Sequence, residues 1–364
     1  MSNNRMRALI YHGVKDVRVE DRPIPDCGPD DVIVRTVRAS ICGSDITAYL
    51  HGGENMNILP GHEFGHEVVG FVWKAGERVT GVQEGDRVFV EPAQAVLDPM
   101  EANMACAFSQ YMKVNHACVG KNLYLLPDAL SYEDAVLIEP LSVSTHAKNR
   151  AAVKPEEKAL VCGSGPIGLG VAAALLAQGN RSVAVVDRDA HRLRCAQSMG
   201  AHPILSTDND LENLKEQLEN YFGVTENTNH RVRFGEGGDV DITENRVLDV
   251  DAVFDCVGIP AFVDEFLRHA KQYARLCDIA VHRTETPVRF HEVMSTQCAL
   301  MGSRGYEHAD IEEVIHNLQD KKIDPAKMIS HHFPLEQAPE AFAVAADPAM
   351  AVKVILHMDE VTTK

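Results

Sequence analysis

The sequence predicts an α/β protein in which a β-rich module is joined to a doubly wound parallel sheet. The first 90 residues contain short β-rich runs separated by clusters of Pro and Gly, as in a β-barrel-like module. From residue 155 onward, short apolar runs alternate with helical patterns, which is typical of a parallel sheet covered by helices. A glycine-rich turn joins the first strand of that second region to its first helix.

The elements follow this division in order along the chain. The β-rich runs of the first region are residues 7–11, 32–37, 68–72 and 85–90. In the second region we predict strands at 158–162, 182–186, 250–254 and 276–281, and helices at 166–178, 190–199 and 261–269. Residues 223–249 are polar without helical period, which predicts an irregular insertion or an exposed hairpin. Residues 331–357 return to strand, helix and strand, with 336–346 helical, and we expect them to pack on the first module.

We therefore expect one domain of residues 1–152, completed by residues 296–364, and a second domain of residues 153–295. The full length of 364 residues is sufficient for two domains that each bury a core. A net charge of −18 disfavours a general affinity for nucleic acid or for an anionic membrane. No secretory signal and no apolar run of membrane-spanning length is apparent. Nine cysteines without a C-x-x-C pair argue against a disulfide framework and favour a cytoplasmic location.

The glycine-rich turn has the context of a dinucleotide-binding site. Its residues are Gly163, Ser164, Gly165, Pro166, Ile167 and Gly168. Gly163 suits the tight turn, Gly165 lets the pyrophosphate approach the backbone, and Gly168 allows close packing of helix on strand. Asp187 stands 19 residues after Gly168 at a predicted strand end. Its carboxylate can bind both adenosine ribose hydroxyls and repel a 2′-phosphate, which favours NAD.

NADP stays open as an alternative, because two arginines follow Asp187. Arg188 or Arg192 could hold a 2′-phosphate, although both residues could equally be solvated at a helix start. Val257, which follows the strand at 250–254, is also assigned to the cofactor site.

Four residues are candidate ligands for one catalytic zinc ion. They are Cys42, His62, Glu63 and Glu139. A thiol, an imidazole and carboxylates suit a zinc ion that keeps an exchangeable position. Cys42 lies in a turn, and His62 and Glu63 follow Pro60-Gly61, where adjacent side chains can face one cleft.

A competing interpretation uses the same histidine. Residues 62–66 match the H-E-x-x-H motif of zinc proteases, which requires a helix so that His62 and His66 share one face. Gly61 before the motif, Gly65 inside it and the β-rich run after it oppose a helix. We therefore expect His66 to be a neighbour of the site or a packed histidine.

At these residues the chain resembles the zinc-containing medium-chain dehydrogenase/reductase family, most closely its polyol, or sorbitol-like, branch. The resemblance covers essentially the whole chain. It rests on Cys42-Gly43-Ser44-Asp45, Gly61-His62-Glu63, Gly85-Asp86-Arg87-Val88, Glu139-Pro140-Leu141-Ser142 and the turn that begins at Gly163. It implies a GroES-like catalytic domain completed by the C-terminal segment, a Rossmann domain, and zinc in the cleft.

The resemblance also implies roles for individual residues. Cys42 and His62 would bind zinc, while Glu63 and Glu139 would bind it directly, alternately or through water. Ser44 would accept the substrate proton, and Thr47 stands where a histidine often ends the proton relay. The G-H-E-x-x-G signature departs at His66, which stands where its last glycine is expected. Because only Cys106 lies in the region where many members carry four cysteines, we expect no structural zinc.

The resulting prediction is an NAD-dependent zinc alcohol dehydrogenase that acts on a secondary hydroxyl of a polyol, sugar or small diol. A carbonyl or acetoin-type reductase of the same fold is an alternative, and so is a metal-free nucleotide-binding regulatory protein. We expect a homodimer or homotetramer, because residues 297–302 resemble an edge strand whose open hydrogen bonds a second copy could pair.

Overall fold

The computed structural model describes residues 4–95, 106–206, 211–228, 231–234, 240–243 and 246–358. The chain divides into two compact units, of which unit 1 is Met1–Pro140 with Ile311–Lys364 and unit 2 is Leu141–Asp310. Residues 141–152 and 296–310, which the sequence analysis assigned to the first domain, therefore lie in unit 2. The strand at Ala299–Gly302 belongs there because it pairs in parallel with Arg275–Asp278.

The described residues form strands and helices in the following order. The strands are β1 (Arg5–Gly13), β2 (Asp16–Pro23), β3 (Val32–Ser40), β4 (His62–Glu63), β5 (Glu67–Ala75), β6 (Arg87–Val90), β7 (Tyr111–Val114), β8 (Leu123–Leu125), β9 (Ala159–Cys162), β10 (Val183–Asp187), β11 (His202–Leu205), β12 (Val224–Glu226), β13 (Arg231–Phe234), β14 (Val240–Thr243), β15 (Arg246–Leu248), β16 (Ala252–Asp255), β17 (Arg275–Asp278), β18 (Ala299–Gly302), β19 (Ile329–Pro334) and β20 (Lys353–His357). The α-helices are α1 (Gly43–His51), α2 (Pro92–Ala95), α3 (Tyr132–Ala135), α4 (Ile138–Arg150), α5 (Pro166–Gln178), α6 (Ala190–Met199), α7 (Leu211–Phe222), α8 (Pro260–His269), α9 (Phe290–Thr296), α10 (His308–Gln319) and α11 (Ala338–Ala345). Short 3-10 helices occur at Glu54–Met56, Pro325–Lys327 and Leu335–Gln337.

Unit 1 is built from two sheets over an aromatic core. One sheet has the order β2-β1-β4 and the other β19-β20-β3-β5-β6-β8, with β7 also paired to β3. Phe342 of α11 lies with its ring centroid 5.6 Å from Phe64 and 5.7 Å from Phe108. The C-terminal segment thus completes the core of the N-terminal module, as the sequence predicts.

Unit 2 contains a parallel sheet with the order β11-β10-β9-β16-β17-β18. All four residues of β9 and of β16 are buried, as expected for strands covered on both faces. The strand order reverses between β9 and β16, which creates a topological switch point where ligands bind at the carboxyl ends of the strands. The predicted alternation of strands and helices is confirmed.

The polar segment after α7 forms antiparallel pairs. β12 pairs with β15, and β13 pairs with β14, so the described part of the segment is made of hairpin-like pairs. Residues 235–239, which the sequence analysis placed in this insertion, lie outside the described residues. In the part of the chain that the structure describes, no helix is long and apolar enough to cross a membrane.

Candidate active site

Cys42 lies where β3 gives way to α1. It is the residue before the first turn of that helix, and its backbone N–H donates to Oδ2 of Asp45 at 2.9 Å. This local bond fixes the turn that follows the strand and places the half-buried sulfur at the positive end of the helix. Cysteine binds metal ions as its thiolate.

The structure brings Cys42 together with His66 and Glu67. One ligand atom from each of the three side chains lies within 4.8 Å of the other two. His66 immediately precedes β5, and Glu67 is its first residue. Both are buried, so the group combines a thiol, an imidazole and a carboxylate away from bulk water. This donor set suits a zinc ion.

The predicted ligand pair His62 and Glu63 is not part of this group. Within the described residues, neither side chain belongs to any three-residue group of possible metal ligands. His62 is exposed on β4, opposite Tyr11, and its Nδ1 lies 3.1 Å from the carbonyl oxygen of Pro60. Among the described residues, the structure therefore brings Cys42 together with His66 and Glu67, and not with the predicted ligands His62 and Glu63.

The environment of Glu63 differs accordingly. Burial is the largest influence on this carboxyl and raises its pKa, while the neighbouring thiol of Cys106, together with Arg22 and His62, has the opposite effect. Nothing in these contacts connects Glu63 to Cys42. The residues from His62 to Glu67 are two strands and a connecting loop instead of a helix, so the zinc-protease motif lacks the structure that it requires.

A signal for the other pair is present in the sequence. Gly-His-Glu occurs twice, and the second copy continues as Gly65-His66-Glu67-Val68-Val69-Gly70, which matches G-H-E-x-x-G completely. Close packing explains why the second copy of the motif has glycine at both of its ends, Gly65 and Gly70. A Cβ atom at Gly65 would lie 2.6 Å from the Phe108 ring, and one at Gly70 would lie 2.1 Å from the carbonyl oxygen of Arg35. A Cβ at Gly61 meets no atom within 4 Å.

Glu67 is held by a buried cation. Nζ of Lys353 pairs with Oε2 of Glu67, and the Ser40 hydroxyl donates to the same oxygen. Both charged side chains are almost inaccessible, at 2% and 1% exposure, and Lys353 also donates to the carbonyl oxygen of Ile41 at 3.1 Å. The other oxygen, Oε1, has no hydrogen-bond partner among the described residues. Glu67 thus keeps one unsatisfied acceptor atom.

Glu139, in the first turn of α4, is buried near the same group. Burial raises its pKa to about 7, with Glu67 acting in the same direction and His66 and Lys353 opposing it. Glu139 is not a member of the three-residue group, although its charge interacts with His66 and Glu67. Glu139 therefore lies beside the three-residue group without belonging to it.

Asp45 is a residue of this site that the sequence analysis did not identify. Its side chain is fully buried, and Oδ1 has no hydrogen-bond partner in the described part of the chain and lies 3.8 Å from Nδ1 of His66. Burial raises the pKa of Asp45 to about 6, against the opposing effect of His66. Burial alone would lower the pKa of His66, but Cys42 and Asp45 reverse this and raise it.

The unsatisfied acceptors provide a test of whether a metal ion fits. Buried polar groups are normally paired, yet Oε1 of Glu67 and Oδ1 of Asp45 are both unpaired close to a thiol and an imidazole. A divalent cation would balance this excess of acceptors, and a carboxylate facing the second nitrogen of a ligating histidine is typical of zinc centres. The residues present therefore fit a zinc ion.

The hydroxyls predicted to carry the proton lie in α1. Oγ of Ser44 is buried without a hydrogen-bond partner among the described residues. The Thr47 hydroxyl donates to the carbonyl oxygen of Gly43 at 2.9 Å, so its proton is engaged within the helix while its lone pairs stay available.

The glycine-rich turn has the predicted form in unit 2. Gly163 follows β9 with a φ of +102°, and α5 begins at Pro166 with Gly165 as its N-cap. A Cβ atom at Gly168 would lie 1.9 Å from the carbonyl oxygen of Gly163, so the helix packs directly against the turn. A Cβ at Gly163 would lie 2.6 Å from Cγ2 of Val257, which places this predicted cofactor residue against the turn.

Asp187, at the end of β10, is tied to the same turn. Its Oδ2 accepts from the N–H and the hydroxyl of Ser164 at 2.6 and 2.7 Å, and Oδ1 accepts from the N–H of Asp189 at 2.9 Å. Burial opposes ionisation, but these hydrogen bonds outweigh it and hold the pKa of Asp187 below its ordinary value. Asp187 is therefore an anion beside the turn. Arg188 is exposed, whereas Nη1 of Arg192 lies 4.0 Å from the Cβ position of Gly165.

Family models match both units of the chain. A model of the alcohol dehydrogenase GroES-like domain matches residues 28–128, and a model of the zinc-binding dehydrogenase matches residues 166–320. The predicted GroES-like and Rossmann architecture is thereby confirmed.

Curated proteins and solved structures agree with these models. Sorbitol dehydrogenase of Bos taurus is 29% identical over 97% of this chain and 96% of its own length. L-idonate 5-dehydrogenase of Vitis vinifera is 28% identical over 95% of this chain and 93% of its own length. The crystal structure of 2R,3R-butanediol dehydrogenase from Bacillus subtilis superposes with a TM-score of 0.78 at 25% identity, covering 97% of this chain and 99% of that one.

Proposed function

We propose that this chain, which belongs to the zinc-containing medium-chain dehydrogenase/reductase family, oxidises a secondary hydroxyl of a polyol, sugar or vicinal diol with NAD as hydride acceptor. The observation that carries the proposal is the buried group of Cys42, His66 and Glu67. Its unsatisfied acceptors support a bound zinc ion, and the turn at Gly163 with Asp187 supports a dinucleotide.

We assign the catalytic metal ligands to Cys42, His66 and Glu67, with Glu139 binding directly or through water. A zinc ion held by these residues would supply a Lewis acid that favours the ionised form of an alcohol, and a bound nicotinamide would supply the hydride acceptor. Asp45 positions the Cys42 turn by accepting its N–H, and it faces the imidazole of His66. One tightly bound catalytic zinc per chain, without the structural zinc that four closely spaced cysteines hold in many family members, stays our prediction.

Proton movement is assigned to α1. The buried Ser44 hydroxyl has unused hydrogen-bonding capacity, so it can accept the proton of the substrate alcohol while it gives up its own proton to Thr47, a ribose hydroxyl or water. Thr47 can pass a proton outward only if its hydroxyl first breaks the hydrogen bond that it donates to the carbonyl oxygen of Gly43. Ser44→Ala should therefore reduce kcat more than Thr47→Ala does.

The choice of NAD rests on the charge of Asp187. An ionised carboxylate held against the turn repels a 2′-phosphate. When NAD binds, the two ribose hydroxyls can replace Ser164 as hydrogen-bond donors to this carboxylate. Arg192 lies near Gly165, where it can meet the pyrophosphate. The exposed Arg188 keeps NADP as the alternative cofactor.

The polyol or diol substrate rests on the similar proteins, whose names specify sorbitol, L-idonate and butanediol. The buried carboxylates Glu67 and Glu139 can accept hydrogen bonds from a hydroxyl next to the reacting one. Sites that bond a substrate hydroxyl reject analogues without it by about 10⁴-fold or more. The alternative function, a carbonyl or acetoin-type reductase, would use the same site to run the reaction from ketone to alcohol. The cytoplasmic location stays a prediction.

A substrate panel tests the proposal. We expect kcat/KM with NAD to be higher for 2,3-butanediol, sorbitol or another polyol than for 2-butanol, which lacks the neighbouring hydroxyl. If 2-butanol is used as well as 2,3-butanediol and no polyol is better, the polyol proposal is wrong. If zinc-loaded protein turns over no secondary alcohol and reduces no ketone, the metal-free regulatory protein becomes the better account.

A further inference from the structure

A second group of possible metal ligands lies in unit 1, on residues that the catalytic assignment does not use. His332 is in β19, His357 is the last residue of β20, and Glu133 is in α3. β19 and β20 run in parallel, with His332 opposite Ile355 and Pro334 opposite His357. Because side chains alternate along a strand, His332 and His357 lie diagonally on the same face of the sheet.

The three ligand atoms are already close together. Nδ1 of His332 lies 3.1 Å from Nε2 of His357 and 2.8 Å from Oε1 of Glu133. One ligand atom from each of the three side chains lies within 4.8 Å of the other two. Zinc bonds of about 2.0 Å in tetrahedral geometry separate neighbouring ligand atoms by about 3.3 Å. Because the two observed separations are close to this value, small movements of the side chains would be enough for an ion to bind between the three ligand atoms.

The carboxylate is oriented toward the two rings by an arginine. Arg38 lies opposite His357 in the sheet, and its Nε donates to Oε2 of Glu133 at 3.0 Å. Oε1 is left facing His332 without a hydrogen bond of good geometry in the described part of the chain. A ligating carboxylate whose second oxygen is hydrogen-bonded is the usual arrangement around a protein-bound metal ion.

We propose that His332, His357 and Glu133 bind a divalent transition-metal ion such as Zn²⁺, Ni²⁺ or Cu²⁺. Two imidazoles and one carboxylate select these ions over Mg²⁺ and Ca²⁺, which prefer oxygen ligands. The His332 side chain is 46% exposed and that of Glu133 is 34% exposed, so water completes the coordination and the ion exchanges with solution. Because no ligand is shared with the group at Cys42, the two sites load independently.

This ion would connect three parts of the chain. β19 and β20 come from the C-terminal segment, whereas α3 comes from the N-terminal segment of the same unit. An ion that binds only the folded chain stabilises it, by an amount that rises with the logarithm of the free metal concentration above the dissociation constant. The site is distinct in kind from the buried cysteine-containing group, because it is accessible and lacks a thiolate.

Equilibrium dialysis of the full-length protein, with its tightly bound metal left in place, tests the proposal. The probe is Zn²⁺ alone at micromolar concentration, and the readout is zinc per chain. We expect the wild type to take up one additional ion, and His332→Asn and Glu133→Gln each to weaken that uptake by about tenfold or more. His331→Asn is the matched control, because the neighbouring His331 contacts Ser330 and belongs to no such group among the described residues.

Three further measurements make the result decisive. Thermal unfolding in the presence of a chelator should be the same for wild type and His332→Asn, so a loss of uptake reports binding and not misfolding. Cu²⁺ added in place of Zn²⁺ should show coordination by two nitrogens in its electron paramagnetic resonance spectrum. Cys42→Ser should keep the additional ion. Unchanged uptake by His332→Asn, no additional ion in the wild type, or loss of that ion in Cys42→Ser would each overturn the proposal.

Discussion

Removing the cation beside Glu67 should destabilise unit 1 strongly. Lys353→Met deletes the ammonium that pairs with Glu67, while the carboxylate stays at 1% exposure with the Ser40 hydroxyl as its remaining hydrogen-bond donor among the described residues. Breaking a buried ion pair on one side costs about 3–5 kcal/mol, because a buried charge is left uncompensated. This is a large part of the roughly 5–15 kcal/mol by which a protein domain is stable.

The assay is urea unfolding of chelator-treated protein followed by tryptophan fluorescence. The chain has a single tryptophan, Trp73 in β5, so the signal reports unit 1. With a slope of about 3 kcal/mol per molar urea, the expected loss lowers the midpoint by about 1–2 M. The chelator ensures that no metal ion neutralises Glu67 in place of the lysine.

The control and a rescue variant define what would refute this reasoning. Lys322→Met removes a surface pair with Asp320, 3.2 Å apart and 45% and 41% exposed, and should cost about 1 kcal/mol or less. Replacing Lys353 and Glu67 together by methionine should recover much of the lost stability, because no buried charge remains. If Lys353→Met and Lys322→Met shift the midpoint equally, the ion pair does not have the role that we assign to it.

Three further predictions concern the cofactor turn and assembly. Gly165→Ala should keep the melting temperature but raise the NAD dissociation constant, because an added Cβ meets, among the described residues, Arg192 alone at 4.0 Å and would lie where the pyrophosphate approaches. Gly168→Ala should lower both the melting temperature and the affinity for NAD, because its Cβ would lie 1.9 Å from the carbonyl oxygen of Gly163. Equal NAD dissociation constants for wild type and Gly165→Ala would contradict this prediction. Asp187→Ser should narrow or invert the preference for NAD over NADP in kcat/KM. The matched control Asp189→Ser, which removes a nearby carboxylate but keeps a residue that can cap α6, should leave this ratio unchanged; wild-type turnover with NADP equal to that with NAD would exclude the proposed role of Asp187. Light scattering should give at least twice the 40.0 kDa chain mass, because β18 is the last strand of its sheet among the described residues; a clean monomer at micromolar concentration would be incompatible with this.

The fold was largely predictable because its signals are local. Hydrophobic runs and the helical period predict α5 and α6 at their observed bounds, and turn residues separate the strands of unit 1. The unit boundaries were less predictable, since they depend on which sheet a strand joins. β18 pairs with β17 through hydrogen bonds between distant parts of the chain, and no local pattern encodes that choice.

The candidate site was predictable in chemistry but only partly in position. The sequence contains Gly-His-Glu twice within seven residues, and both copies can supply an imidazole and a carboxylate. Which copy faces Cys42 depends on packing, because Gly65 and Gly70 are enforced by contacts with Phe108 and Arg35. The pairing of Lys353 with Glu67 joins residues almost 300 positions apart, and no local pattern predicts it.

The most direct test of the central claim is the retention of zinc by two histidine variants after exhaustive dialysis without added metal. We predict about one zinc per chain for the wild type and for His62→Asn, because His62 is exposed on β4. His66→Asn should lose most of this zinc together with alcohol oxidation, because it removes the imidazole that lies beside Cys42 and Glu67. Full zinc retention by His66→Asn, with loss in His62→Asn, would contradict the assigned metal centre.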